Sequence, residues 1–205
     1  MCVEGIEGSG KSTLLSGLAA RLEAAGVALV ATREPGGTAL GNRLRTTFLE
    51  PGLAIDPLAE AFVVNASRAQ HVSEIIEPAL GEGRWVFCDR YVAATLAYQG
   101  FGRGLDLGTL RMLAAIATRG RYPDLTLLID VGIDVSRERV RARALADGLP
   151  IDRLEREDGA FHRRVRDGYL ALARDDATFV TLDGMLAREP LLNAAWRALQ
   201  SKYSL

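Results

Sequence analysis

Residues 5–12 read Gly-Ile-Glu-Gly-Ser-Gly-Lys-Ser, a complete G-x-x-x-x-G-K-[ST] loop. The backbone N–H groups of such a loop, here Gly5, Ile6, Glu7, Gly8, Ser9 and Gly10, curl around an anionic phosphate. The helix that follows adds its positive N-terminal end. Lys11 can bridge β- and γ-phosphates, and Ser12 offers a hydroxyl to Mg²⁺. The context fits, because Cys2-Val3 reads as a strand end and Thr13 to Ala25 as a helix. A bland Gly-rich turn would have no reason to place a lysine and a hydroxyl side by side at its exit.

Three further constellations carry charge next to constrained backbone. Arg33-Glu34-Pro35-Gly36-Gly37-Thr38 is followed by Leu44-Arg45, so a rigid, close-approaching loop is flanked by two phosphate-type donors. Read alone, it is equally an ordinary turn with solvated charges. Asp89-Arg90-Tyr91 ends an apolar run. A carboxylate there can hold Mg²⁺ through water or orient Lys11, with Arg90 facing a transferring phosphoryl group; the plain alternative is a strand-end ion pair. Tyr98-Gln99-Gly100-Phe101-Gly102-Arg103-Gly104 reads as another constrained polar loop.

The stretch Arg137 to Arg166 is crowded with charge, including Arg137, Arg139, Arg141, Arg143 and Asp152-Arg153-Leu154-Glu155-Arg156, and is interrupted by Gly148 and Pro150. It reads as helix, flexible loop, helix. A solvated hairpin laced with salt bridges is one account. The other is a lid over a nucleotide that excludes water and delivers an arginine to the transition state, a contribution of roughly 10³–10⁵ in rate.

These groups need a scaffold that brings them together. Short, nearly continuous apolar segments at 1–4, Ala28–Thr32, Trp85–Asp89, Leu125–Asp130 and Phe179–Leu182 predict five buried parallel strands. Helices are predicted over Thr13–Ala25, from Asp56-Pro57 to about Leu80 with Pro78 loosening the last turn, and over Leu107–Arg119, Asp134–Ala144, Arg156–Arg174 and Glu189–Gln200. The alternation implies a three-layer α/β/α fold of P-loop NTPase type in a single domain over residues 1–205, with a helical lid at about 143–156. In such sheets ligands bind beyond the carboxyl ends of the strands, so the three charged loops should converge on one cleft.

Composition narrows the classes. A chain of 205 residues, 48% hydrophobic, can bury one core. Its net charge of −1 gives no electrostatic footprint for nucleic acid or an anionic membrane. No apolar run reaches the roughly 18–20 residues that span a bilayer, and no basic-then-apolar leader opens the chain. The first strand starts almost at Met1 and is short, which raises the expectation of a few residues upstream. Cys2 and Cys88 match no metal or disulfide pattern and read as buried thiols of a reducing cytosol; His71 and His162 are isolated. Lys11 and Lys202 are the only lysines, and arginine supplies the other basic residues, which suits bidentate phosphate binding but equally reflects genome composition.

Together the motifs resemble the thymidylate kinase (dTMP kinase) family, in its bacterial form with the catalytic arginine in the lid. The resemblance runs through EGIEGSGKST at 4–13, REPGGT at 33–38, SRAQH at 67–71, DRY at 89–91, AYQGFGRG at 97–104, PDLTLLID at 123–130 and DRLE at 152–155. REPGGT and AYQG-x-GRG discriminate far better than the P-loop. The resemblance implies ATP + dTMP giving ADP + dTDP with Mg²⁺, in a cytoplasmic homodimer that supplies dTTP synthesis. It implies that Gly5 to Thr13 hold ATP and that Glu7 accepts from the deoxyribose 3′-hydroxyl. Arg45 and Arg90 would clamp the acceptor phosphate, Arg68 would meet the thymine edge, and Glu34, Tyr98 and Gln99 would complete that site. Arg153 would be the lid arginine, Arg143 would pack near adenine, and Ser12 with Asp89, through water, would hold the metal. Lys11, Asp89, Arg90 and Arg153 would then be the catalytic set. Glu7 stands where another branch of the family has arginine, so positive charge must come from elsewhere, and the lid is the obvious supplier.

Two positions depart from the pattern. Val64 replaces an aromatic that stacks on thymine, a loss of about 1 kcal/mol or more, and Phe62 is on the wrong side of the helix to replace it. Ala94 replaces a common serine. A kinase of the same fold with another acceptor therefore stays open; neither departure touches phosphoryl transfer, and Lys11, Asp89, Arg90 and Arg153 together argue against a catalytically weak paralogue. A GTPase-like switch is disfavoured, since neither N-K-x-D nor D-x-x-G occurs.

Overall fold

The structure is a computed structural model that describes residues 1–148 and 150–203. Five strands, β1 (Cys2–Glu4), β2 (Leu29–Arg33), β3 (Trp85–Asp89), β4 (Thr126–Asp130) and β5 (Phe179–Asp183), form one parallel sheet in the order β2-β3-β1-β4-β5. Around them lie α1 (Lys11–Ala24), α2 (Ala39–Leu49), α3 (Pro57–His71), α4 (Glu77–Gly81), α5 (Val92–Thr95), α6 (Leu107–Thr118), α7 (Ile133–Asp147), α8 (Gly159–Asp175) and α9 (Arg188–Lys202). The doubly covered parallel sheet is the architecture that the short, continuously apolar strands predict. No helix among the described residues is long and apolar enough to cross a membrane.

Alternation along each strand divides the core. Val3, Phe87, Leu127 and Ile129 pack with Leu14, Leu18 and Leu22 of α1 and Leu191, Ala195 and Leu199 of α9. Their neighbours Cys2, Val86 and Cys88 point to the opposite face, against Ala61 of α3 and Leu110 and Ala114 of α6. A third cluster, with Leu128, Val131, Phe161, Val165 and Tyr169, seats α8 and reaches into the lid through Leu154.

β1 lies between β3 and β4, and the sheet's connections reverse direction there, which opens a crevice beyond the strand ends. In register, Asp89 is level with both Val3 and Arg33. The exits of β1, β2 and β3 therefore deliver the P-loop, the Arg33–Thr38 loop and the Asp89-Arg90 turn to one place.

The structure corrects several expectations. Helix α2 was not predicted; the Gly36-Gly37 pair masked it, although the Thr38 hydroxyl accepts from Gly41 N at 2.9 Å as its N-cap. Residues 98–104 are mostly not a loop: a π-helical turn spans Leu96–Gly102, with Arg103 N donating to Tyr98 O at 2.9 Å. Tertiary packing holds it despite its glycines, since α8 lies so close that a Cβ on Gly168 would come within 2.5 Å of the Phe101 ring. The long helix expected from 57 is broken by a second π-turn at Val72–Ile76, just ahead of Pro78, which has no N–H for the carbonyl of Glu74. α7 continues past Ala144 to Asp147, and α8 starts at Gly159 rather than Arg156, where Asp158 accepts from Phe161 N at 2.6 Å. The expected lid is thus the end of α7 and the turns before α8; Leu149 within it lies outside the described residues.

Candidate active site

The loop from Gly5 feeds directly into α1. Gly10, at φ 98°, is the N-cap of α1 and supplies no side-chain cap, whereas Thr38, Asp56, Asp106 and Asp158 cap α2, α3, α6 and α8. The first N–H groups of α1 are thereby left for an anion. Gly8 is at φ 68°, and a Cβ there would lie 2.5 Å from Ser136 O, so both its conformation and its neighbour require glycine. Lys11 lies across the loop with Nζ donating to Gly5 O at 3.1 Å and Ile6 O at 2.8 Å. Burial, reinforced by Arg90, lowers its pKa to about 8, while Asp89, Glu7 and Glu4 pull the other way.

Arg90 is held in the left-handed region at φ 69°, a conformation uncommon for a non-glycine residue. Its N donates to Val3 O at 3.0 Å, and Tyr91 N donates to the buried Glu4 carboxylate at 2.7 Å. The guanidinium reaches Tyr169 OH at 3.0 Å, Glu7 Oε1 at 2.9 Å and Tyr98 OH at 3.1 Å, and stacks 4.9 Å from the Tyr98 ring. Burial pushes the Glu7 carboxyl up, but Arg90, Lys11 and Tyr98 outweigh it and hold it below its ordinary value. The other Glu7 oxygen, Oε2, is buried with no hydrogen-bond partner among the described residues.

Beyond the loop opens a cleft of about 430 Å³, lined among others by Lys11, Arg33, Arg45, Asp89 and Arg90. Arg33 and Arg45 have no ion-pair partner among the described residues; Arg45 Nη1 donates to Pro35 O at 3.0 Å. Burial, then Arg33 and Arg90, depress the Arg45 pKa, which is the signature of cations crowded together for want of an anion. Deeper in, Arg68 is 2% exposed: Nε donates to Glu34 at 2.7 Å, Nη1 to Asn65 at 3.0 Å, and Nη2 to Tyr91 O and Thr95 Oγ1 at 3.0 Å. One of the five guanidinium N–H groups remains for a ligand. The second Glu34 oxygen meets His71 Nδ1 at 2.8 Å, so Glu34 spends both oxygens on Arg68 and His71 and acts on a ligand through Arg68.

Of the expected site residues, Glu7, Gly8, Gly10, Lys11, Ser12, Thr13, Glu34, Arg45, Arg68, Asp89, Arg90, Tyr98, Gln99 and Arg143 line this cleft, whereas Gly5 and Ser9 do not and Ile6 packs into the core. Arg153 does not line it either. It is 9% exposed, with Nη1 on Glu60 at 2.5 Å, Nε on Phe48 O at 2.9 Å and its guanidinium 5.0 Å over the Phe48 ring, while Asp152, Leu154 and Glu155 face the cleft. Arg143 donates to Glu155 at 2.5 Å. Arg139, which sequence reasoning did not single out, lines both the cleft and an adjoining pocket of about 230 Å³ beside Gly10 and Thr13. Helical phase was the available signal: Ser136, Arg139 and Arg143 share one face of α7, and Ser136 Oγ donates to Glu7 O at 2.7 Å. Phe48 and Leu49 also line the cleft and were missed because α2 was missed, and Thr95 of α5 was missed as well. Val64 lines the cleft wall, and Phe62, 53% exposed, points outward as its spacing requires.

The donor set suits a hard cation shared with phosphates. Ser12 Oγ donates to Asp89 Oδ2 at 3.0 Å, leaving Asp89 Oδ1 open. No group of three His, Cys, Asp or Glu side chains that could hold a metal ion occurs among the described residues.

Residues 3–193 match the family model described as thymidylate kinase. The protein named thymidylate kinase from Deinococcus radiodurans is 47% identical over 201 residues, covering 98% of this chain and 95% of that protein. Its namesake from Thermomicrobium roseum is 50% identical over 194 residues, covering 94% and 90%. A crystal structure of thymidylate kinase from Ehrlichia chaffeensis superposes with a TM-score of 0.77 at 31% identity, covering 97% of each chain.

The lowered pKa of Lys11 makes a pH prediction. Above about 8 the ammonium of the free protein loses its proton, and bound polyphosphate, by favouring the charged form, restores it. Affinity for ATP should therefore fall as pH rises through that value, with uptake of up to about one proton per ATP. Calorimetric titration in buffers of different ionisation enthalpy measures the uptake; unchanged affinity and no uptake would mean that Lys11 stays charged throughout.

Proposed function

This chain belongs to the thymidylate kinase family, nucleoside monophosphate kinases that act on dTMP, and from that premise we propose the reaction ATP + dTMP giving ADP + dTDP, as the supply of dTTP for DNA replication. The observation that carries this reading is the meeting of two anion sites in one cleft: the uncapped N-terminus of α1 with Lys11 on one side, and Arg45 with Arg90 on the other. The first takes the donor phosphates along Gly5 to Thr13, and the second takes the acceptor phosphate. An oxygen of that phosphate is the nucleophile, so no general base is needed; the cleft contributes alignment and charge. Lys11 and Arg90 lie where charge spreads during in-line transfer. Ser12 and, through water, Asp89 would hold Mg²⁺, which neutralises charge on the β- and γ-phosphates when bound.

The acceptor's sugar fits Glu7 Oε2, a buried acceptor with no hydrogen bond but with His162 Nδ1 3.8 Å away, suited to a 3′-hydroxyl, with Tyr98 beside it. Arg68 and Gln99 meet the base. Arg153 reaches the transferring phosphoryl group only if the lid swings it away from Glu60; Arg139 and Arg143 already line the cleft. Arg143 lines this main cleft together with Gly10, Ser12 and Thr13, which supports its packing near the adenine of ATP.

We place the enzyme in the cytoplasm as a homodimer. Helices α3 and α6 pack against each other, and each carries exposed apolar side chains, Leu58 and Phe62 on α3 (42% and 53% exposed) and Met112 and Ile116 on α6 (65% and 71%). That pattern suits a self-complementary helical face.

ADP release with ATP and Mg²⁺ should show dTMP preferred over dUMP, dCMP, dGMP and thymidine; preference for another acceptor would overturn the substrate, and no turnover the chemistry. Arg153→Ala should lower kcat by about 10³-fold or more with the KM for dTMP little changed. A rise confined to that KM would place the residue in the acceptor site. Phe62→Glu should shift the protein from dimer to monomer in sedimentation velocity; an unchanged dimer would put the interface elsewhere.

A further inference from the structure

Glu60 lies outside the cleft and is completely buried, and three hydrogen bonds and one further ion-pair contact converge on it. Oε2 accepts from Gln99 Nε2 at 2.9 Å and Arg103 Nε at 3.3 Å; Oε1 accepts from Arg153 Nη1 at 2.5 Å and lies 3.0 Å from Arg103 Nη2. Arg103 is held independently, by Glu157 at 2.6 Å and by the Phe161 ring, 4.6 Å away. One carboxylate on α3 thus ties together the π-helical turn that lines the cleft and the lid.

We propose that Glu60 is a positioning residue that sets which pyrimidine edge the acceptor site reads, by fixing the Gln99 amide. A carboxylate facing two arginines can only accept, so Gln99 must turn its NH₂ group to Glu60 and its carbonyl oxygen the other way. Gln99 lines the cleft beside Arg68. The pair then offers one acceptor from Gln99 and one donor, the remaining N–H of Arg68. An imide edge, with N3–H as donor and O4 as acceptor, matches both. An aminopyrimidine edge, with N3 as acceptor and an exocyclic NH₂ as donor, mismatches both, and unpaired buried polar groups reject a ligand strongly. Glu60 touches no ligand; it acts through Gln99. This inference rests on the dTMP reading above.

The test is Glu60→Gln, which keeps volume but can donate as well as accept. The Gln99 amide is then free to invert and present NH₂ to the cleft. The ratio of kcat/KM for dTMP to that for dCMP should fall by at least about tenfold, with dTMP losing through KM. Arg153→Met, which removes only the lid arm of the cluster, should leave the ratio unchanged. A purely structural Glu60 would depress both acceptors equally and leave the ratio intact, which would overturn the proposal. If Glu60→Gln fails to fold, Glu60→Asp keeps the charge for the arginines and withdraws from Gln99, and the same drop, smaller in size, is expected; an unchanged ratio there also overturns it. Failure of the wild-type protein to use dTMP at all would instead defeat the functional reading.

Discussion

Arg90 and Glu7 face each other across the point where β1 and β3 end, and their ion pair at 2.9 Å joins the donor side of the cleft to the acceptor side. Neither residue could hold its place alone. Arg90 occupies a left-handed backbone conformation that costs of order 1 kcal/mol or more for a side chain of its size. Two buried hydrogen bonds hold that turn, from Arg90 N to Val3 O and from Tyr91 N to Glu4. Glu7 belongs to the loop between β1 and α1, and its side chain meets Arg90 there. The sheet's register, with Asp89 level with Val3, is what puts these two exits side by side.

The same device recurs around the cleft. Two arginines that line the cleft have a carboxylate behind them, Glu7 for Arg90 and Glu34 for Arg68, and outside the cleft Glu60 does the same for Arg103 and Arg153. Removing one member of such a pair costs about 3–5 kcal/mol, because the other is left charged and desolvated. These carboxylates therefore hold donors in fixed directions more than they neutralise them. Arg33 and Arg45 lack such a partner among the described residues, and both line the cleft.

Much of this was legible in the chain. Strands showed because parallel strands buried on both faces are apolar throughout, and the P-loop showed because phosphate geometry leaves its glycines no substitute. The strand-end loops were correctly expected to converge. What escaped notice depended on packing. α2 follows two glycines and carries a polar, weakly apolar sequence, so only its Thr38 cap announced it. Leu96–Gly102 contains two glycines that argue for a loop, and the wide turn exists because α8 presses on it at Gly168. Glu60 gave no sign at all: it lies mid-helix in an unremarkable acidic-apolar stretch, and its partners are 39, 43 and 93 residues away.

The placement of Arg153 bears on how a lid can rest open without unfolding. An arginine taken from a cleft into the interior must recover its lost hydration, and Glu60, the Phe48 carbonyl and the Phe48 ring supply most of it. The recovery is incomplete, since Nη2 is buried with no partner, a deficit of about 1–3 kcal/mol. That deficit is absent wherever the guanidinium meets a phosphate bidentately. Glu60 makes the parked position tenable, and the unsatisfied nitrogen keeps it from being the better of the two once an anion occupies the cleft. The guanidinium is thus held by a carboxylate, a carbonyl and a ring, with one nitrogen left over, and a bidentate anion is the kind of partner that would satisfy it fully.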